Sequence, residues 1–438
     1  QKSPLVAVEL FAGAGGLALG LEKAGFATAA FIEYDKDAAA TLKANRPCWN
    51  VICDDIANIS SLNLNEYFNL AVGELDLLSG GAPCQAFSYA GKRLGFEDTR
   101  GTLFFEVERI LRDKKPRGFI LENVEGLVNH DKQNTKDKIG KTLSTILEHL
   151  KALGYKVNWK VLNAKDFGVP QDRKRIYITG TYTDFPNLEN FEANNTNLSD
   201  ILEKGLPVSN SKFVNLVLSN YSVKQLYGMS IKDKRGGNNN IHSWDIDYKG
   251  KTTKQEKEFL NLLLKERRKK KWAQEYGIDW MDGMPLTISM IRTFYNADNL
   301  ETMLEDLVAK KYLKKEHPKK KIGNKRVQDE TLPLGYNIVA GKMSYEVAKV
   351  LDPKGIAPTL VAMDMEHLFV GDGEGIRKLS LREGLRLFGY PDDFKFDVSL
   401  QEGYDLLGNT VVVPVIKQVA LRVLTILTEE KKNESECA

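Results

Sequence analysis

The chain has 438 residues, 42% hydrophobic and 28% charged, and carries a net charge of +3. That length exceeds one ordinary hydrophobic core and predicts two domains, and the composition is too apolar for a disordered chain. The total charge does not by itself call for nucleic acid, but residues 254–326 hold 18 Lys and Arg against 11 Asp and Glu, a local +7 that leaves −4 elsewhere and places a basic surface in the middle of the chain.

Taken in order, Leu5–Leu10 (L-V-A-V-E-L) reads as a central strand, F-A-G-A-G-G as a glycine loop, and residues 17–24 as a helix closed by Gly25. Such a loop lets a ligand approach the backbone and sets a helix N-terminus against an anionic group; nicotinamide, flavin and methyl-donor enzymes all use it. The next strand, residues 29–32, ends at Glu33, twenty residues after Gly13, where an acid can accept hydrogen bonds from ribose hydroxyls. Tyr34 offers a face to an adenine, and Asp55, after Val51-Ile52, can accept from its amine. Each of these also has a plainer reading as turn chemistry or packing.

Asp76–Gln85 (D-L-L-S-G-G-A-P-C-Q) is the stretch around which the rest is arranged. Its apolar run reads as a buried parallel strand, and the glycine turn delivers Pro83, Cys84 and Gln85 to the sheet edge where α/β folds bind ligands. The short P-C signal leaves Cys84 open between a nucleophile and an inert buried thiol. Residues 86–103 then run as a polar loop punctuated by Gly91, Gly95 and Gly101 and carrying Ser88, Lys92, Arg93 and Arg100. Ile120–Val124 (I-L-E-N-V) is a further apolar strand ending in Glu122, and Gln171–Arg175 (Q-D-R-K-R) stands directly before the strand 176–179. A thiol, a carboxyl and two guanidiniums therefore project near strand ends of one sheet.

After Gly180 the pattern changes, and a domain boundary is expected near 185. The middle is helical in period: residues 254–276 as one helix, then 287–295 and 300–312, followed by a basic Pro/Gly stretch to Arg326. Two helices with a tight turn and a Lys-rich hairpin over 285–328 read as a winged helix-turn-helix, the second helix in a major groove and Lys319, Lys320 and Lys321 tracking the backbone. The plainer reading is a helical insert whose lysines face water, and the acids Glu301, Glu305 and Asp306 weigh on that side.

The order P-C-Q, E-N-V, Q-x-R-x-R, with G-F-E-D-T-R-G-T-L-F-F (Gly95–Phe105), resembles the cytosine-5 DNA methyltransferase family of bacterial restriction–modification type. The resemblance covers residues 5–185 and 376–425. It implies an α/β, Rossmann-like S-adenosylmethionine-dependent catalytic domain at 1–185, completed by 398–438, and a smaller, mixed target-recognition domain at 186–397. Residues 357–364 resemble the strand that ends such target domains, and 377–391 their domain-organising segment. The implied cofactor is S-adenosyl-L-methionine, leaving as S-adenosyl-L-homocysteine, with no metal. Phe11, Ala12, Gly13, Gly15, Gly16, Leu17, Glu33, Tyr34, Asp55, Ile56, Pro83 and Asn409 would bind it. Cys84 would add to C6 of cytosine, Glu122 would supply a proton at N3, and Arg175 with Arg173 would meet the charge at O2. No residue is assigned to removal of the C5 proton. Gln85, Ser88, Lys92, Arg93 and Arg100, in a lid over the flipped base, would face the DNA, as would Gln171, which would orient its loop rather than touch the base.

The implied partner is duplex DNA, bound by a monomer in the bacterial cytoplasm, with a cognate restriction endonuclease that makes no direct contact. Four cysteines without a C-x-x-C pair fit a reduced compartment. No apolar run approaches ~20 residues and no signal peptide precedes the first strand, so no membrane is expected. Ala82, where an aromatic or proline is usual, and Thr410, where a smaller residue is common, depart from the family pattern without removing a functional group. A tRNA methyltransferase on the same scaffold and a non-catalytic DNA-binding relative are the competing readings. The long middle region weighs against the first, and the intact Cys84, Glu122 and Arg175 against the second.

Overall fold

The computed structural model describes residues 4–59, 70–81, 103–234, 237–323, 325–340 and 345–437. Pro83, Cys84, Gln85, Ser88, Lys92, Arg93 and Arg100, with the expected lid, lie outside the described residues. Along the chain the elements are β1 Leu5–Leu10, α1 Gly16–Ala24, β2 Phe26–Glu33, α2 Lys36–Asn45, β3 Val51–Cys53, β4 Leu77–Gly80, α3 Leu103–Lys114, β5 Gly118–Val124, α4 Lys141–Ala152, β6 Lys156–Asn163 and β7 Lys174–Thr181. There follow α5 Lys212–Asn220, α6 Val223–Leu226, β8 Ser230–Ile231, β9 Asn240–Ile241, α7 Lys254–Glu266, α8 Lys270–Glu275, α9 Ile288–Arg292 and α10 Leu300–Ala309. The remainder is β10 Leu313–Glu316, β11 Lys319–Ile322, β12 Lys325–Gln328, β13 Gly335–Ile338, β14 Lys349–Val350, α11 Ala362–Met365, β15 Leu368–Asp372, β16 Gly375–Lys378, α12 Leu381–Leu387, α13 Leu400–Gly408 and α14 Val413–Cys437.

These elements form two compact units: Gln1–Glu203 with Pro353–Met365 and Leu379–Ala438, and Lys204–Asp352 with Glu366–Lys378. The first is built on a seven-stranded sheet in the order β3-β2-β1-β4-β5-β7-β6. Strands β1 to β5 run parallel, and β7 is antiparallel to both β5 and β6. The order reverses between β1 and β4, which opens the ligand crevice at their carboxyl ends. Near-continuous apolar strands are what a sheet covered on both faces requires; Val8, Leu10, Leu78, Phe119 and Ile176 share one core with Val107 and Ile110 of α3 and Leu143 and Leu150 of α4.

The C-terminal helix belongs to this first unit. A Cβ on Gly20 of α1 would stand 2.6 Å from the Cβ of Ile416, so only glycine lets α1 and α14 approach this closely. Farther along, Lys431 meets the buried Asp76 at 3.0 Å and Arg117 meets Glu434 at 2.7 Å. The helical stretch Leu400–Glu436 is long and apolar enough to cross a membrane, by length and composition only. Val413, Ile416, Val419, Ala420, Val423 and Leu427 on it are buried within the protein.

The division falls between Glu203 and Lys204 rather than near 185, and 353–365 and 379–397 lie in the first unit. Side-chain pins explain this. Gln171 is fully buried, accepts from the Leu360 amide at 3.1 Å and donates to the Leu387 carbonyl at 2.8 Å. Residues 357–364, expected as a strand, form one isolated bridge from Ala357 to Gln171 and then enter α11.

The second unit contains a five-stranded sheet, β16-β15-β14-β8-β9, and a helical core. Trp244, Phe259, Leu263, Trp272, Met290, Leu304 and Tyr312 are among the residues of that core. The expected single helix over 254–276 is two helices. Arg267 at the break is buried, bonding Asn337 Oδ1 at 2.9 Å, and the indole of Trp272 donates to the Glu266 carbonyl at 2.8 Å. Periodicity alone does not register a break made by a buried arginine. Helix α10 is followed by a hairpin in two storeys, β10 pairing with β13 and β11 with β12.

Candidate active site

The glycine loop between β1 and α1 carries the backbone strain of a ligand cradle. Phe11, a non-glycine residue, has φ of 56°, and Gly13 and Gly15 have φ of 53° and 86°. Gly15 is the N-cap of α1, so the helix begins where the loop ends. A Cβ on Gly13 would find no described atom within 4 Å, whereas on Gly16 it would stand 2.8 Å from both the Tyr390 hydroxyl and the Val411 carbonyl. Among the described residues Gly13 thus fronts open space, and Gly16 seats the loop on the returning C-terminal segment. Ala12 and Leu17 are buried beneath it.

Glu33 ends β2 with one carboxylate oxygen on the Gly13 amide at 2.6 Å and the other on the Asp35 amide at 2.7 Å. A carboxylate offers about four lone-pair sites, so accepting capacity remains. Burial raises its pKa, opposed by those amides. Tyr34 is 75% exposed, Ile56 is buried, and Asp55 caps the following turn through the Ala57 amide at 2.9 Å. Asn409 caps α13 and donates to the Asp405 carbonyl at 3.0 Å.

Glu9 was not singled out from the sequence. It lies in the middle of an apolar strand and is fully buried; among the described residues its carboxylate oxygens have no hydrogen-bond partner of good geometry, the Ala18 amide acting on it only weakly. Burial, and after it the neighbouring Glu33, hold its carboxyl well above the usual carboxylate range. The available signal was a single acid inside an otherwise apolar central strand, directly before a glycine loop.

On the other side of the crevice, β5 brings Glu122 beside the end of β4. Its carboxyl lies 3.4 Å from the Arg175 guanidinium, and a Cβ on Gly81 would stand 3.2 Å from Glu122 Oε2. Gly81 is the last described residue before the segment that carries Cys84. Burial raises the Glu122 pKa, and Arg175 and then Arg173 pull it back. The desolvation effect is the larger, so this carboxyl holds a proton to higher pH than an exposed one.

The two arginines occupy different settings. Arg175 faces Glu122. Arg173 is buried and donates to the carbonyls of Leu360 at 2.8 Å, Gly408 at 3.2 Å and Thr410 at 3.1 Å. Where the sequence grouped it with Arg175 at the base, its guanidinium instead ties the 357–360 and 408–410 segments to the sheet. Gln171, expected toward DNA, is likewise engaged as a pin. Lys319, Lys320 and Lys321 lie in the second unit on β11.

An open, twisted α/β sheet with a glycine loop after β1, an acid ending β2 and an antiparallel β7 defines the methyltransferase architecture. Solved structures agree: the chain resembles the Entamoeba histolytica methyltransferase EhMeth, with a TM-score of 0.52, 15% identity and coverage of 97% of this chain and 99% of that one. It also resembles Schizosaccharomyces pombe Dnmt2 methyltransferase, with a TM-score of 0.52, 13% identity and the same coverage. At such identity the likeness speaks for the fold alone.

The model of the C-5 cytosine-specific DNA methylase family matches residues 5–425. The chain belongs to that family, and it is a DNA cytosine-5 methyltransferase. It is 56% identical over 423 residues to Type II methyltransferase M.NlaIV of Neisseria lactamica, covering 95% of this chain and 98% of that protein. It is 39% identical over 438 residues to Type II methyltransferase M.BanI of Aneurinibacillus aneurinilyticus, with 94% of each covered.

Proposed function

We propose that this chain is the modification enzyme of a type II restriction–modification system, methylating C5 of a flipped-out cytosine in a short duplex sequence by way of a Cys84–C6 bond. The observation that carries the catalytic reading is Glu122, its side chain 11% exposed and its pKa raised by desolvation, beside both Arg175 and the exit of β4. In this reading the Cys84 thiolate bonds to C6, and the electron pair displaced from the C5–C6 double bond makes C5 nucleophilic. Glu122 gives its proton or a strong hydrogen bond to N3, and Arg175 meets the charge that gathers at O2. Arg173 acts one step removed, by holding the backbone that precedes Arg175. Once C5 carries the methyl group, loss of the C5 proton and β-elimination free Cys84.

The loop fits S-adenosylmethionine, which supplies an electrophilic methyl group when bound. Phe11, Ala12, Gly13, Gly15, Gly16 and Leu17 form its backbone cradle, with the α1 N-terminus for a carboxylate. Glu9, buried beneath the loop, would meet the ammonium of an amino acid. Glu33 has lone pairs left for ribose hydroxyls, Tyr34 an open ring face for adenine, and Asp55 with Ile56 the polar and apolar sides of the same pocket. Pro83 and Asn409 complete the set.

The unit formed by 204–352 and 366–378 is assigned to target recognition, with Lys321 of β11 on phosphates. Gln85, Ser88, Lys92, Arg93 and Arg100 cover the flipped base, and the protein acts as a monomer in the bacterial cytoplasm. The test is transfer of a radioactive methyl group to duplex DNA, single-stranded DNA and tRNA in parallel. Label entering duplex DNA well above the other two is the expected result. Label entering tRNA instead would make the chain an RNA enzyme.

A further inference from the structure

The hairpin of the second unit differs sharply between its storeys. In the lower one, Leu313, Tyr336 and Ile338 are buried in the helical core. The upper one, β11 against β12, has every described residue but Lys319 exposed. Its register pairs Lys319 with Gln328, Lys320 with Val327, Lys321 with Arg326 and Ile322 with Lys325. Directly opposed residues share a face and neighbours along a strand alternate. One face is therefore Lys320, Ile322, Lys325 and Val327, with Ile322 57% and Val327 47% exposed. The other is Lys319, Lys321, Arg326 and Gln328. A two-stranded ribbon with both faces in water is marginal, and a β-branched pair left in water adds nothing to hold it.

Its charge identifies the occupant. The two strands, K-K-K-I and K-R-V-Q, contain five cations and no acid. Three of those cations hold the ribbon at its root and side: Lys319 lies 4.0 Å from Glu316, Lys320 lies 3.4 Å from Asp329, and Arg326 donates to the Trp280 carbonyl at 3.1 Å. Among the described residues, Lys321 and Lys325 have no ion-pair partner. Helix α10, the expected reader, presents the opposite charge. Its outward Glu301, Glu305 and Asp306 pair with Arg292, Lys315 and Lys310 and would face phosphates with carboxylates.

We propose that the β11–β12 ribbon, and not α10, is the element of this unit that enters the major groove of duplex DNA. Lys321 and Lys325 reach flanking phosphates, and the Ile322–Val327 face lies against base edges. The dimensions agree: four-residue strands span about 13 Å, and the major groove, about 12 Å wide, admits a two-stranded ribbon. Apolar side chains there read the thymine methyl group. This inference rests on the chain being a duplex DNA methyltransferase.

The test compares the full-length wild type with a Lys321→Ala/Lys325→Ala variant and an Ile322→Thr/Val327→Thr variant, whose threonines preserve strand preference. An unmethylated plasmid is the substrate, the methylated positions are mapped by bisulfite sequencing, and binding to a plasmid fragment is followed across salt concentrations. The lysine variant should reduce the magnitude of the log–log salt slope by about 1.8, at 0.9 for each of two phosphates. The threonine variant should keep that slope and lose about tenfold of the preference for mapped positions over single-base neighbours. Because the ribbon lies outside the core, both should melt with the wild type. An unchanged preference in the threonine variant overturns groove entry. A reduced slope in the lysine variant would then leave the ribbon a backbone-tracking wing. If the wild type methylates no plasmid cytosine, the underlying enzyme reading fails first, and the ribbon's role with it.

Discussion

At the scale of single residues, Glu122 and Glu9 are two carboxyls whose pKa values are raised, chiefly by desolvation. The Glu122 pKa is raised because desolvation outweighs the opposing pull of Arg175 and then Arg173. Glu122→Gln still offers a hydrogen bond but no transferable proton, so kcat should fall by about 10²–10⁴-fold while methyl-donor affinity stays within a factor of two. Near-normal turnover in that variant would remove Glu122 from the mechanism. Glu9 is fully buried, with no hydrogen-bond partner of good geometry among the described residues. Its folded pKa lies above the unfolded value, so as pH rises through that gap the unfolded chain releases a proton that the folded one keeps. Stability present in acid is therefore lost toward neutral pH, by up to about 1.4 kcal/mol per pH unit. The Glu9→Gln variant should lack that decline in thermal melts as pH rises above the ordinary carboxylate range, and its affinity for the methyl donor should drop about tenfold. Parallel melting curves for the two proteins would mean that Glu9 does not titrate across this range.

At the scale of elements, the chain declares its strands more openly than the aim of its side chains. The runs 5–10, 77–78 and 120–124 became β1, β4 and β5, because a parallel sheet covered on both faces has mostly apolar positions to fill. The glycine loop and Glu33 were legible for the same reason, since each follows a strand end. The separate roles of Arg173 and Arg175 were not. Counted two apart, they should share a strand face. The Gln171 amide bonds the Val169 carbonyl and the Arg173 amide bonds the Gln171 carbonyl, so the chain is still turning before β7 starts. Only Arg175 is within the paired strand. Arg173→Ala leaves three backbone carbonyls without their guanidinium and should cost about 3 kcal/mol or more in urea unfolding. Arg175→Ala should cost little stability and most of the activity. Gly20→Ala forces a methyl group against Ile416, and that overpacking, about 1–3 kcal/mol, opposes the ~1 kcal/mol that alanine gains over glycine in a helix. A lowered urea midpoint is expected, and a raised one would show that α1 and α14 can separate without cost.

At the scale of the molecule, the sequence foretold two bodies and a basic middle but misplaced the seam. The segments 353–365 and 379–397 read as part of the middle because they follow it in the chain. Buried polar pins at Gln171 and Arg173 fasten them to the first unit, and no periodicity registers such long-range bonds. The basic middle is real but is divided within itself: α10 turns acids outward, while β11 and β12 gather the lysines. The central claim, a covalent thiol mechanism at the crevice beside Glu122, is tested most directly by trapping. Duplex DNA carrying 5-fluorocytosine, incubated with the enzyme and S-adenosylmethionine, should give a denaturation-stable adduct, because fluorine at C5 blocks release of the thiol. Mass spectrometry of the digested adduct should place the modified base on Cys84, and Cys84→Ser should form none. A wild-type enzyme that methylates ordinary duplex DNA yet yields no adduct, or one attached elsewhere, would contradict the account.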